Sequence, residues 1–299
     1  MSNDIWKPRG IPQRPEVTAK LGISASWLVC SEPARREELF LWTAAILCAQ
    51  NAIRLISAAL SSAVSYEFAS ISIFQCLAWY AVFRLPLESE SKRSSTRLDV
   101  TVAAALCLVS GMPMDAVLWS VATAVAIYFF ATSADNPKLR AAATILGALA
   151  VQAFWGRGLF NLFAADLLRA DAAVVGAVVA AMHEGVTRHD NVILLASGHG
   201  IEVLSGCSSF HNVSLALLCW VTVTKLNRPR LLRRDFLIGG IVCATMILLN
   251  EARLYAMALG PDGFHFWHDG FGATVFVFGA SLTALLLSLY GSSARPRTA

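Results

Sequence analysis

The chain has 299 residues, 56% of them hydrophobic and only 15% charged, with a formal net charge of +4 at pH 7. Soluble domains carry roughly 25% charged residues, so this composition excludes a soluble globular protein and points to a membrane chain. The net charge says little by itself, because in a membrane protein the distribution of Lys and Arg carries the information.

Residues 1–37 are polar, rich in Pro and Arg, and hold no apolar core of a secretory signal; they read as a cytoplasmic arm. About eight apolar runs follow, near 38–61, 64–85, 99–112, 115–133, 141–163, 207–224, 236–257 and 269–290. Most reach the roughly 20 residues that cross a hydrocarbon layer about 30 Å thick, and the third is short for a span. The expected fold is an all-α polytopic membrane protein of about eight transmembrane helices, N-in and C-in. A single transmembrane domain covers 38–290, and 291–299 form a cytoplasmic tail. The one long segment between runs, 164–206, is expected to be extracytoplasmic. Its first part, LLRADAAVVGAVVAAMHEG, suits an interfacial helix. Its second, VTRHDNVILLASGHGIEVLS, reads as two short strands around SGHG, a β-hairpin. The seven cysteines show no metal-type pairing and sit mostly inside apolar runs, where a thiol acts as a small hydrophobe. No Gly-rich phosphate loop, metal cluster or cofactor motif is present, so no cofactor is expected.

Orientation follows from the basic residues. With alternating spans the inside segments hold the arm's Lys and Arg, then Arg84, Lys92, Arg93 and Arg97, then Lys138 and Arg140, then KLNRPRLLRR at 225–234, then Arg295 and Arg297. The outside segments hold only Arg169 and Arg188. The loop 225–234 is therefore expected to be cytoplasmic and to meet anionic lipid headgroups, with no nucleic-acid partner.

That orientation brings three segments to one membrane depth. Cys207 falls at the outer end of run six. Run seven carries Asn250, Glu251 and Arg253 near its outer end, and His265, His268 and Asp269 precede run eight. Ionisable residues at such depths are functional candidates. A helix starting near Ser205, with Ser205 as N-cap, puts Cys207 in the first turn, where the helix dipole favours a thiolate. The bland alternative is a gap-filling cysteine, as Cys219 and Cys243 are read. Three histidines are candidate bases beside such a thiol: His268, His211, which lies four residues after Cys207 on the same helical face, and, less favoured, His265. Asn250 either positions Arg253 or bonds a neighbouring helix, Glu251 suits a salt bridge to an arginine, and Asp269 orients His268 only through an awkward adjacent contact. Ser208 is a candidate supporting donor. Arg54 and Arg157, in the outer half of the membrane, either snorkel or line a substrate cleft.

Asn191 in VTRHDNVI, then IEVLSGCSSF, then Asn250-Glu251-Ala252-Arg253, then His268-Asp269-Gly270 resemble, in order and spacing, the exosortase/archaeosortase family. The resemblance covers about 141–290; the first half matches only as generic apolar spans. It departs at Cys207-Ser208-Ser209, where the family usually shows Cys-Ser-Gly. It implies a multispanning cysteine protease/transpeptidase of the bacterial inner membrane with Cys207, Arg253 and His268 as its catalytic set. The implied partner is the C-terminal sorting signal of a secreted protein, Pro-Glu-Pro followed by an apolar helix and a basic end (PEP-CTERM-like). Two other classes stand beside it: a non-catalytic membrane partner of a polysaccharide or protein export system, and a transporter, for which an internal repeat is the missing mark.

Overall fold

The computed structural model describes residues 35–60, 72–90, 93–112, 114–228 and 230–293. Most of the N-terminal arm, the start of the second run at 64–71 and the tail from 294 lie outside the described residues. Helix α1 covers Arg36–Leu60, α2 Ile73–Leu87, α3 Arg97–Ser110 and α4 Asp115–Thr132. Helix α5, Pro137–Ala150, passes through a π-helical turn at Val151–Trp155 into α6, Gly156–Met182. Strands β1 (Thr187–His189), β2 (Val192–Leu194) and β3 (Gly200–Glu202) follow. A 3-10 turn at Ser205–Cys207 then leads into α7, Ser209–Asn227. Helices α8 (Arg233–Ala258), α9 (Pro261–His268) and α10 (Phe271–Ser293) complete the described chain.

Several helix starts are written locally. Ser72 and Gln75 form a capping box for α2, Thr96 and Asp99 another for α3, and Asn136 caps α5 just ahead of Pro137. Helices α1, α4, α8 and α10 are long and apolar enough to cross a membrane, and α2 is a shorter apolar helix. The chain is thus a polytopic, predominantly α-helical membrane protein. In lipid, helices associate by close van der Waals packing rather than by apolar burial. Accordingly α5 buries Ala141, Ala142, Ala143 and Ala150, and a Cβ on its Gly147 would lie 3.5 Å from that of Ala126 in α4. Gly239 of α8 faces the Trp220 ring of α7 so closely that a Cβ would meet it at 2.9 Å.

The helical path does not break where the fifth apolar run ends. It continues from Pro137 to Met182, about 70 Å at about 1.5 Å per residue, more than twice a hydrocarbon layer of about 30 Å. A separate interfacial helix after residue 163 was the expectation. Nothing in LLRADAAVVGAVVAAM breaks a helix, so α6 simply runs on. Beyond it the expected hairpin is present: β2 and β3 pair antiparallel with Ile193 opposite Ile201, around Gly198 at φ 84°. Strand β1 adds a third, unexpected member through a tight turn at Asp190, φ 51°. Ile193, Ile201 and Val203 are buried against Val175 of α6 and Leu254 and Met257 of α8.

Polar ties gather the basic segments at one end of the bundle. The Arg36 guanidinium donates to the Thr132 carbonyl at 2.6 Å and pairs with Asp99 at 3.2 Å, which also accepts from the Tyr128 hydroxyl at 2.7 Å. Asn136 donates to Glu37 at 2.6 Å, and Lys138 to the Glu88 carbonyl at 2.6 Å. Arg228 pairs with Asp235 at 3.4 Å, and Asn227 donates to Ser292 at 2.8 Å. Pro137, Asn227, Arg228 and Arg230 line one shared recess, which joins these groups. Cys207, the start of α7, the end of α8 and α9 lie at the other end of the same helices.

Candidate active site

The local route into α7 differs from the sequence expectation. Ser208, not Ser205, is the N-cap: its hydroxyl accepts the Phe210 N–H at 3.2 Å. Cys207 therefore lies before the helix, in a 3-10 turn closed by its own N–H on the Leu204 carbonyl at 2.9 Å. The turn is held from two sides. Asn191 donates to the Val203 carbonyl at 3.0 Å and receives the Val203 N–H on its own carbonyl at 2.9 Å. Asn250 of α8, fully buried, donates to the Cys207 carbonyl at 2.9 Å and to Ser209 Oγ at 3.2 Å, and accepts from Asn212 at 2.9 Å. Asn250 thus bonds the Cys207 segment and α7 rather than Arg253.

Cys207 is 8% exposed, and burial pushes its thiol up from the ordinary value. Arg253 opposes this, as does the hydrogen bond to Leu204, while Asp269 adds to the rise. Cys207 is not in the first turn, where the dipole effect was expected, because the cap is Ser208, three residues after Ser205. Arg253, one turn beyond Asn250 on α8, donates through Nε to the Trp267 carbonyl at 3.0 Å and lies 4.9 Å from the Phe276 ring centre. It is thereby tied to both α9 and α10 while its charge acts on the thiol.

His268 closes α9. Its Nδ1 meets Asp269 Oδ1 at 2.7 Å, so the adjacent contact that looked awkward in sequence does form. Its ring stacks on Phe264 at 4.7 Å and 13°. A carboxylate on Nδ1 selects the tautomer whose Nε2 is free to accept a proton. Because Asp269 interacts with both His268 and Cys207, these two residues share an electrostatic neighbour. His265 also lies beside Phe264, at 6.0 Å between rings.

Other named residues fall elsewhere. His211 sits in the first turn of α7 and feels Arg157, at the start of α6, where Phe160 and Phe210 also meet at 5.4 Å. Among the described residues no hydrogen bond joins it to Cys207, and its electrostatic neighbour is Arg157. Arg54 is paired with Asp115 and donates to the Met112 carbonyl at 3.0 Å. Ser208 spends its hydroxyl on the helix cap. Glu251, for which an arginine partner was expected, instead accepts from Ser209 Oγ at 3.0 Å and lies against Asp171 of α6. Asp171 takes the Ser209 N–H at 3.0 Å. Asp171, Ser209 and Asn212 were not singled out from sequence. Each is an ordinary polar residue there, and only α6, α7 and α8 coming together gives them a role. His199, in the β2–β3 turn, was missed likewise; its Nε2 lies 3.1 Å from the Met257 carbonyl. Among the described residues no group of three or more His, Cys, Asp or Glu could hold a metal ion.

A family model described as transmembrane exosortase matches residues 61–286. No curated protein and no solved structure matches the chain.

Proposed function

Since the chain belongs to the transmembrane exosortase family, whose members are membrane cysteine transpeptidases, we propose that Cys207, Arg253 and His268 form its catalytic set. We propose further that the spans number about eight, N-in and C-in, with this set at the outer face of the bacterial inner membrane. The observation that carries the reading is the convergence at one end of the bundle. The Cys207 turn is pinned by Asn250, Arg253 is the cation acting on the thiol, and His268 is oriented by Asp269.

The chemistry is acyl transfer. Cys207 Sγ attacks the carbonyl carbon of a peptide bond in a C-terminal sorting signal, forming a C–S bond. Its proton passes to His268 Nε2 and from there to the departing amine as the C–N bond breaks. Arg253 stabilises the oxyanion of the tetrahedral intermediate. An amine acceptor then attacks the thioester, and the thiol regains its proton as the new C–N bond forms. Because the resting thiol is held protonated by burial, removal of its proton belongs to the reaction rather than to the free enzyme. Arg157 and His211, near each other at the start of α6 and α7, suit an acidic side chain of the signal, whose apolar helix docks between spans. The basic loop 225–234 faces anionic headgroups.

The test is processing, in cells, of a secreted protein ending in such a signal. Cys207→Ala is expected to abolish cleavage while the enzyme still accumulates in the membrane. Cleavage by Cys207→Ala at the wild-type rate overturns the assignment. Parallel His268→Ala and His211→Ala variants separate the two histidines. Loss of at least about 100-fold from the first and about tenfold or less from the second is expected.

A further inference from the structure

Ser209 follows the N-cap of α7, and its N–H is one of the amides that a helix start leaves without an intrahelical partner. The cap already in place, Ser208, serves Phe210. The Ser209 N–H goes instead to a carboxylate 38 positions away, Asp171 Oδ2 on α6, at 3.0 Å. Its hydroxyl goes to Glu251 Oε1 on α8 at 3.0 Å, and Asn250 donates to the same hydroxyl at 3.2 Å. Ser209 is 5% exposed and Glu251 9%, and the Glu251 carboxyl group lies buried against that of Asp171. Placing a buried carboxyl group against a second, half-buried one is costly, and apolar residues would join three helices at lower cost. What this arrangement supplies instead is direction. It fixes the residue two places after Cys207 by both its amide and its hydroxyl, while Asn250 fixes the Cys207 carbonyl itself.

We propose that Asp171 and Glu251 are positioning residues for Cys207, acting through Ser209. The proposal rests on the reading of Cys207 as nucleophile. With Ser209 held on both sides, the 3-10 turn keeps one conformation and the thiol keeps one bearing toward Arg253 and the substrate carbonyl. Small errors in such a bearing cost large factors in rate. Neither carboxyl group touches the reacting atoms.

The experiment uses the full chain in native membranes with two readouts. One is the rate of N-ethylmaleimide addition to Cys207, followed on the peptide that contains it. The other is kcat and KM for cleavage of a secreted reporter ending in Pro-Glu-Pro, an apolar helix and arginines. Glu251→Ala frees the turn, so Cys207 is expected to react with maleimide about fivefold faster while kcat falls about tenfold or more and KM stays within about twofold. Glu251→Gln keeps an acceptor for the Ser209 hydroxyl and offers Asp171 an amide donor in place of a second carboxyl group. It is expected to bring both rates back within about threefold of wild type. If Glu251→Ala does not accumulate, Ser209→Ala removes the same hydroxyl bond and is expected to move both rates in the same directions, by about threefold. Wild-type rates in the alanine variants, loss confined to KM, or no rescue by Glu251→Gln would each overturn the proposal. A Cys207→Ala enzyme that still cleaves brings down the nucleophile assignment instead, and the maleimide arm then reports on the turn alone.

Discussion

At Cys207 two effects of opposite sign meet. Burial raises the thiol above its ordinary value of 9.0, and Arg253 pulls it down without overcoming the rise. Below its pKa a thiol's alkylation rate climbs about tenfold per pH unit, following the thiolate fraction. Alkylation of Cys207 in the free enzyme is therefore expected to keep rising through pH 9, and a plateau below pH 8 would contradict a buried, protonated thiol. Arg253→Ala removes the opposing charge and is expected to slow alkylation at pH 8 by about three- to tenfold. The same shift bears on stability. Between the ordinary and the raised pKa the folded state binds more protons than the unfolded chain, so this group's contribution falls as pH rises across that window.

At the scale of elements, the start of α7 is the sensitive joint. Ser208→Ala removes the cap on Phe210 and is expected to cost about 1 kcal/mol, read as a lower unfolding temperature in detergent. Because the 3-10 turn abuts that cap, the same variant is expected to speed maleimide addition to Cys207. Gly239→Leu acts at the far half of α8, where the Trp220 ring must move, and is expected to cost about 1–3 kcal/mol. Its effect on alkylation of Cys207 should be small, since the two sites lie toward opposite ends of α8. Equal disturbance of Cys207 by both variants would mean that α8 transmits strain along its length.

For the whole molecule, the separation of two ends is the organising fact. At the basic end Arg36 and Asp99 are an ion pair whose side chains are each 4% exposed. Removing one partner of such a pair leaves a buried charge, so Asp99→Ala is expected to cost about 3–5 kcal/mol and to lower the amount of folded enzyme. Orientation can be read with single introduced cysteines at exposed positions. Ser197→Cys, in the β2–β3 turn, is expected to take an impermeant maleimide in intact cells, and Arg230→Cys only after permeabilisation. The reverse pattern would place the Cys207 end in the cytoplasm.

What sequence determined by itself is what composition along the chain can carry. Span-length apolar runs, the bias of Lys and Arg to alternate segments, and the hairpin around Gly198 are local or one-dimensional signals, and the chain alone carries them. So was the expectation of a shared depth for Cys207, Arg253 and His268, because that expectation follows from counting spans. Which groups meet is a different matter. A polar residue in an apolar helix has to find a partner, but its identity depends on how helices rotate and approach. Only the tertiary structure decided that Asn250 turns to Cys207 rather than Arg253, that Glu251 meets Asp171 rather than an arginine, and that Arg54 is taken by Asp115. The start of α7 shifted for the same reason. Both Ser205 and Ser208 can cap a helix, and the hydrogen bonds from Asn250 and to Asp171, on α8 and α6, favour the later one, leaving Cys207 in a turn instead of a helix.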